Sequence, residues 1–157
     1  MVLPLADFCQ ELHRYGAMIE APQNWMPTCN QPAGQGLHVA LADDGARYVL
    51  TDTEKDITVV GVESPDRDEV LEAIFVHVTY NMAAERVAKD MPPQTPEEIL
   101  SLTPDDIENI QAMATSLHLK LSRVQEDLLG RLSTVWRDRQ AARNREQLKR
   151  IEGMLDE

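Results

Sequence analysis

Residues 36–90 constrain the fold of this chain more than any other segment, because three short β-prone runs lead directly into a long amphipathic pattern. The runs and the two turns between them are, in order, residues 37–41, Asp43-Asp44-Gly45, residues 48–50, Glu54-Lys55-Asp56 and residues 57–62. Short runs with turn residues between them predict antiparallel hairpins. We therefore predict a three-stranded meander over residues 37–62. A small antiparallel three-stranded sheet must bury one face against helices, so the predicted fold class is α+β.

The meander is followed by a predicted helix over residues 64–90. Ser64 suits the N-cap position and Pro65 the first helical position, and the carboxylates that follow lie where the helix dipole favours negative charge. Its apolar stripe, which we expect in the core, consists of Val70, Leu71, Ile74, Phe75, Val78, Met82 and Val87. His77 lies beside this stripe, and we interpret it as a structural histidine rather than a metal ligand.

An N-terminal helix is predicted over residues 1–20, where apolar residues recur at steps of three and four. Residues 22–36 contain several prolines and glycines, which predict an irregular loop. Trp25 either pins this loop as a buried aromatic or lies exposed as an interface anchor.

The C-terminal part, residues 95–157, is predicted to form a long helix or a helical hairpin. Helix start signals at Thr95 and Thr103 indicate a single helical turn followed by a long helix. Apolar residues follow a heptad-like pattern over residues 107–135, which predicts helix packing within the chain or across a dimer. A polar run then predicts a bend near residues 138–144, before a last helix.

Acidic charge is concentrated in the first part of the chain. Residues 1–115 hold 20 acidic and 6 basic side chains, whereas residues 116–157 hold 7 and 9, and the net charge of the 157 residues is −12. A field this negative repels nucleic acid and attracts basic proteins. We therefore expect a basic protein partner and no nucleic acid. The length fits a single domain, 1–157.

The sequence predicts a cytoplasmic protein with no membrane partner, because it has no export signal and no apolar run of about 18 residues. Cys9 and Cys29 are therefore expected to be reduced thiols, although they could pair. No metal-binding spacing or phosphate-binding loop occurs, and the four histidines are dispersed. Cys9 and His13 share a helix face but lack an orienting third group. We predict no enzyme activity, no metal and no cofactor.

Three parts of the sequence together resemble a known family. They are the β-prone Tyr48-Val49-Leu50, the helix of residues 68–83 with its acidic start and Ile74-Phe75 pair, and Gln125-Glu126-Asp127-Leu128-Leu129 followed by Trp136. Their order and spacing resemble the immunity proteins of bacterial polymorphic toxin systems, specifically the family numbered sixty-three. The resemblance covers roughly residues 46–155.

The resemblance implies an antitoxin that binds a cognate secreted toxin domain and occludes its active site, without catalysis of its own. A basic nuclease or another cytoplasm-acting toxin is the expected partner, since charge complementarity accelerates association. The carboxylates predicted to bind it lie at the sheet turns and the helix start: Asp43, Asp44, Asp52, Glu54, Asp56, Glu63, Asp66 and Asp68. The alternative is a non-enzymatic helical scaffold or regulatory module that homodimerises through residues 107–135. Both a monomer and a homodimer are left open.

Overall fold

The structure is a computed structural model that describes residues 2–29, 35–55, 57–90 and 104–153, with side chains from residue 112 onward in the last range. In this part of the chain the elements are α1 (Leu5–Met18), β1 (Thr28–Cys29), β2 (Gly36–Leu41), β3 (Tyr48–Glu54), β4 (Ile57–Ser64), α2 (Arg67–Lys89), α3 (Pro104–Leu132) and α4 (Thr134–Gly153). The predicted α+β class is thus confirmed. Contacts divide the chain into two compact units, Met1–Asn81 and Met82–Glu157, and the single domain stays a prediction.

The sheet has four strands in the order β1-β2-β3-β4, so the prediction of three antiparallel strands is wrong. The pairs β2–β3 and β3–β4 are antiparallel as predicted, but β1 adds to β2 in parallel, with Thr28 opposite His38. Thr28 Oγ1 lies 3.0 Å from His38 Nδ1 across this pair. A strand of two residues is too short to show alternation of apolar and polar residues. For this reason β1 was assigned to the predicted loop of residues 22–36.

A disulfide joins Cys9 of α1 to Cys29 of β1, with the Cα atoms 6.5 Å apart. The expectation of reduced thiols is therefore wrong. The 3₁₀ turn Gln23–Trp25 lies between the two elements, and Trp25 within it is half-buried. Met26 then packs against α1 at Gly16, where an added Cβ would lie 2.7 Å from Met26 Cε. Chain reversal at this turn brings the cysteines together, and no sequence spacing indicated it.

Aromatic contacts join α1 to the rest of the first unit. The rings of Phe8 and Tyr48 are 4.5 Å apart between centroids, which joins α1 to β3. Tyr15 meets Phe75 of α2 edge-to-face at 5.9 Å. The Tyr48 hydroxyl accepts a hydrogen bond from Leu3 N at 2.7 Å, so this fully buried side chain is also satisfied at its polar end.

Helix α2 starts slightly later than predicted, because Asp66 is its N-cap. Asp66 O accepts the bond from Val70 N, and Asp66 Oδ1 accepts a bond from Asp68 N at 2.9 Å. Ser64, the predicted N-cap, instead accepts from Asp66 N at 3.0 Å. The predicted apolar stripe is buried along its whole length, as expected. His77 is exposed, so it is not the packed structural histidine that the sequence predicted.

In the second unit, α4 folds back against α3 after a break at Ser133. Ser133 Oγ accepts a bond from Trp136 N at 3.2 Å, which caps α4. The prediction of a bend near residues 138–144 is wrong, because α4 continues through that polar run without a break. Asn144 links the two helices, with its backbone O 2.9 Å from His118 Nε2.

The heptad-like pattern is only partly buried. Leu128 and Trp136 are buried, whereas Val135 is 52% exposed. The side chains of the first heptad positions and the start signal at Thr95 lie outside the described residues. Homodimerisation through this pattern stays a prediction.

Candidate protein-docking surface

The carboxylates predicted to bind a partner are divided between the two ends of the sheet. Five lie at one end, in the β2–β3 turn, at the end of β4 and at the start of α2: Asp43, Asp44, Glu63, Asp66 and Asp68. Asp52 and Glu54 lie near the other end, and Asp56 is outside the described residues. β3 runs from Tyr48 to Glu54, and at about 3.3 Å per residue its ends are about 20 Å apart. The sequence prediction of one acidic surface thus becomes two separate groups.

The carboxylates at the β2–β3 turn have partners within the chain. Asp44 Oδ1 accepts a bond from Ala46 N at 3.0 Å and shapes the turn, where Gly45 has a φ of 69°. Arg47 lies 3.5 Å from Asp44 and 3.0 Å from Glu63, so one guanidinium balances two carboxylates. Asp43 is exposed beside them. Arg47 therefore offsets one of the negative charges at this end and holds Asp44 and Glu63 in place.

The carboxylates at the start of α2 serve the helix. Besides the Asp66 cap, Ser64 Oγ donates to Glu69 Oε2 at 2.7 Å, which ties the end of β4 to the first turn of α2. Arg67 reaches across to Glu11 of α1 at 2.8 Å. Negative side chains in a first turn also interact favourably with the helix dipole. Local structure thus explains why carboxylates occur at positions 66 and 68, and no binding protein is needed to explain them.

The other end of the sheet carries a different surface, which we call the hairpin face: Asp52, Glu54, Ile57 and Val59. Asp52 is opposite Val59 and Glu54 opposite Ile57 in the β3–β4 pairing. Directly opposed residues of an antiparallel pair lie on the same side of a sheet, so these four share one face. They border a concavity of about 260 Å³ that Lys55 also lines.

The hairpin face lies on the side of the sheet that packs against the core, but past the point where the core ends. Tyr48, Leu50 and Asp52 alternate along β3 and therefore point to the same side. Tyr48 and Leu50 are 0% and 4% exposed, whereas Ile57 and Val59 beyond them are 69% and 59% exposed. These exposed apolar residues were not predicted, because the sheet was expected to bury a whole face. The sequence carries no signal for their exposure, since the part of the sheet that helices cover depends on tertiary packing.

The two carboxylates of the hairpin face have no partner among the residues that the structure describes. Neither Asp52 nor Glu54 has an ion pair or a hydrogen bond there through its side chain. Their nearest cation in sequence, Lys55, takes a turn conformation with a φ of 50°. Two uncompensated carboxylates thus lie beside two exposed aliphatic side chains. Lys and Arg match such a surface, since their stems pack on apolar groups while the charged ends stay hydrated.

The other kinds of site that the sequence suggested, catalytic and metal-binding, have less support in the structure than a docking surface. Within the described ranges, no group of three His, Cys, Asp or Glu side chains is placed to hold a metal ion. Cys9 is in the disulfide, so the Cys9–His13 pair does not supply a thiolate. Two basic side chains of α4 form local ion pairs, Arg137 with Asp138 at 3.0 Å and Lys149 with Glu146 at 3.2 Å. No helix in the described ranges combines the length and apolar character that crossing a membrane requires.

Comparisons with protein families, with curated proteins and with solved structures found no match to this chain. The resemblance to immunity proteins therefore stays a prediction from the sequence.

Proposed function

We propose that the protein is an immunity protein that binds a cognate toxin domain and neutralises it by occluding its active site. The observation that carries the proposal is the hairpin face, where Asp52 and Glu54, which have no ion-pair partner among the described residues, adjoin exposed Ile57 and Val59. Such a mixture of apolar contact area and complementary charge supports specific binding of a basic protein. No catalytic group is required on this chain for inhibition by occlusion.

The charge of the whole chain supports the same kind of partner. With a net charge of −12, the protein attracts a basic domain over distances comparable to the Debye length, about 8–10 Å at physiological salt. Electrostatic steering raises association rates by one to three orders of magnitude. Fast association is useful to an antitoxin, because the toxin must be bound before it acts. A basic nuclease is the toxin class that this charge favours.

A cytoplasmic site of action is part of the proposal, and the Cys9–Cys29 disulfide of the structure argues against it. Disulfides persist mainly in oxidising compartments, whereas cytoplasmic thiols are usually kept reduced. Alkylation of the protein in intact cells, before lysis, would report the state of Cys9 and Cys29. Alkylation of both thiols supports the cytoplasm. Protection of both would move the encounter with the toxin to an oxidising compartment.

Bacterial growth tests the proposed function directly. The toxin candidate to test is the C-terminal domain of any secreted protein that a neighbouring gene encodes, induced with and without this protein. We expect the domain alone to stop growth, and co-expression to restore growth with co-purification in a fixed ratio. Toxicity that persists despite comparable expression of this protein would contradict the pairing.

The homodimeric scaffold remains the second candidate, because α3 exposes apolar side chains that a second helix could cover. Met113 and Leu119 are 47% and 43% exposed. Light scattering separates the two candidates at micromolar concentration. A dimer that L119E converts to a folded monomer would favour the scaffold, whereas a monomeric native protein counts against it.

A further inference from the structure

The outer edge of β4 is open. β4 ends the strand order β1-β2-β3-β4, and no further strand pairs with it within the described part of the chain. Its first five residues, Ile-Thr-Val-Val-Gly, are all exposed and include neither a charged residue nor a proline. Edge strands are usually protected by such residues against pairing with other chains. This edge therefore has the composition of a strand that accepts a partner.

A bulge limits the length of the open edge. The register of β4 against β3 shifts between Leu50 and Thr51, which leaves Gly61 without a partner residue. Bulges bend a strand and increase its twist, so regular pairing with an added strand is restricted to residues 57–60. This stretch coincides with the hairpin face.

We propose that an extended strand of a basic protein adds to the outer edge of β4 and lays arginine or lysine side chains across the hairpin face. This inference rests on the proposed function and names the way in which the toxin would be recognised. Backbone hydrogen bonds would supply affinity, and alternate side chains would supply specificity, as in other cases of strand addition.

Strand spacing explains why the partner's side chains should be long and basic. Neighbouring strands lie about 4.8 Å apart, so an added strand would be one spacing from Ile57 and Val59. It would be two spacings, about 10 Å, from the β3 residues Asp52 and Glu54. An arginine or lysine stem can cross the aliphatic pair and bring its charge to these carboxylates. A short side chain would leave them unpaired.

A second copy of this chain fits the edge less well than a basic protein. Each copy carries a net charge of −12, so self-association brings together two negative molecules. Among the described residues, Lys55 is the only cation that borders the concavity of the hairpin face. A β4-to-β4 pair would therefore bring four carboxylates, Asp52 and Glu54 of each copy, together with only two Lys55 side chains. Charge complementarity thus selects a basic strand as the occupant.

A synthetic strand tests the proposal on the intact protein. The probe is an eight-residue peptide of alternating arginine and valine with blocked ends, and its control carries two adjacent backbone N-methyl groups at its centre. Both have the same charge, but the control cannot donate hydrogen bonds from either edge at that point. We expect the probe to slow hydrogen exchange of the outward amides of residues 57–60 at least tenfold, and the control to leave them unchanged. Equal binding of both peptides would overturn strand addition.

Charge variants test the position of the site. D52K/E54K should weaken binding of the probe at least tenfold. D7K/E20K changes the net charge equally but alters exposed carboxylates at the two ends of α1, and it should bind within twofold of the native protein. Equal losses in both variants would mean a response to overall charge and would overturn the site. Concentration-dependent dimerisation of the free protein, with β4 amides protected in the dimer, would assign the edge to a second copy.

The growth assay separates failure of this inference from failure of the proposed function. If the native protein rescues growth and D52K/E54K rescues equally well, docking at the hairpin face is wrong while the immunity function stands. If the native protein does not rescue growth, the immunity function is wrong, whatever the peptide does.

Discussion

Cys9 and Cys29 join α1 to β1 across a sequence separation of 20 residues. This bond matters to the sheet, because β1 has only two residues and contributes little pairing by itself. Cross-linking stabilises a protein chiefly by restricting its unfolded chain. The disulfide therefore anchors an edge of the sheet that strand pairing alone would hold weakly.

Removing the disulfide should lower stability substantially. For a loop of this length we expect C9S/C29S to reduce the free energy of unfolding by about 3 kcal/mol. Urea denaturation measures this change, and the native protein in excess reductant should show a similar loss. C9S/C29S itself should not respond to reductant. Unchanged stability in both cases would mean that the bond does not form in solution.

Single residues also explain the exposed surface. Leu50 and Ile57 belong to the same side of the sheet, but Leu50 is 4% exposed and Ile57 69% exposed. L50A should therefore cost about 2–5 kcal/mol, as buried truncations do, whereas I57A should change stability by at most about 0.5 kcal/mol. Thermal and urea unfolding of the two variants provide the measurement. A cost for I57A close to that of L50A would mean that Ile57 is buried in solution and that the hairpin face is not available to a partner.

At the scale of elements, α2 is organised by its first turn. Asp66 caps the helix through its carbonyl and its carboxylate, and the side chain of Glu69 returns to Ser64. The cap fixes where β4 ends and where α2 begins. It thereby stabilises the end of the sheet that is farther from the hairpin face.

Loss of this cap should be measurable. D66A should lower the free energy of unfolding by about 1 kcal/mol, because the N–H group of Asp68 loses its side-chain acceptor. D66N keeps an acceptor oxygen and should lose less. Urea denaturation of both variants and of S64A provides the comparison. Unchanged stability in D66A would mean that the Asp66 side chain does not cap the helix.

The elements show which signals the sequence contained. The helix pattern of α2 and the antiparallel β2-β3-β4 pairing were predicted, because burial imposes periods of 3.6 and 2 on long enough segments. The strand β1 and the disulfide were not, because both depend on a chain reversal between Cys9 and Cys29 that leaves no periodic signal. The break at Ser133 was misplaced because the polar run of α4 resembled a loop, although its residues form a continuous helix.

Only part of the candidate site could be predicted from the sequence. Carboxylates at turns are evident from residue type, and Asp52 and Glu54 were among those chosen. Their separation from Asp43 and Asp44 follows from the predicted meander, whose successive turns lie at opposite ends of the sheet, whereas the pairing of Arg47 with two of the carboxylates requires side-chain positions. Sequence alone could not show that Ile57 and Val59 extend past the core.

At the scale of the whole molecule, charge and surface point to the same kind of partner. The net charge of −12 provides long-range attraction for a basic protein, and the hairpin face provides a local place for it. Charge attracts without selecting, whereas an open strand edge beside unpaired carboxylates can select side-chain length and spacing. The rate of association therefore depends on the overall electrostatic field, whereas recognition of the partner depends on a few residues.

The most direct test of this account is calorimetric titration of the neighbouring gene's toxin domain into the native protein, D52K/E54K and D7K/E20K. We predict one-to-one binding to the native protein, at most a small loss for D7K/E20K, and an affinity at least tenfold lower for D52K/E54K. Raising the salt concentration should weaken the native complex by reducing screened attraction. Absence of binding to the native protein would contradict the immunity function, and equal affinity for both double variants would contradict the hairpin face as its site.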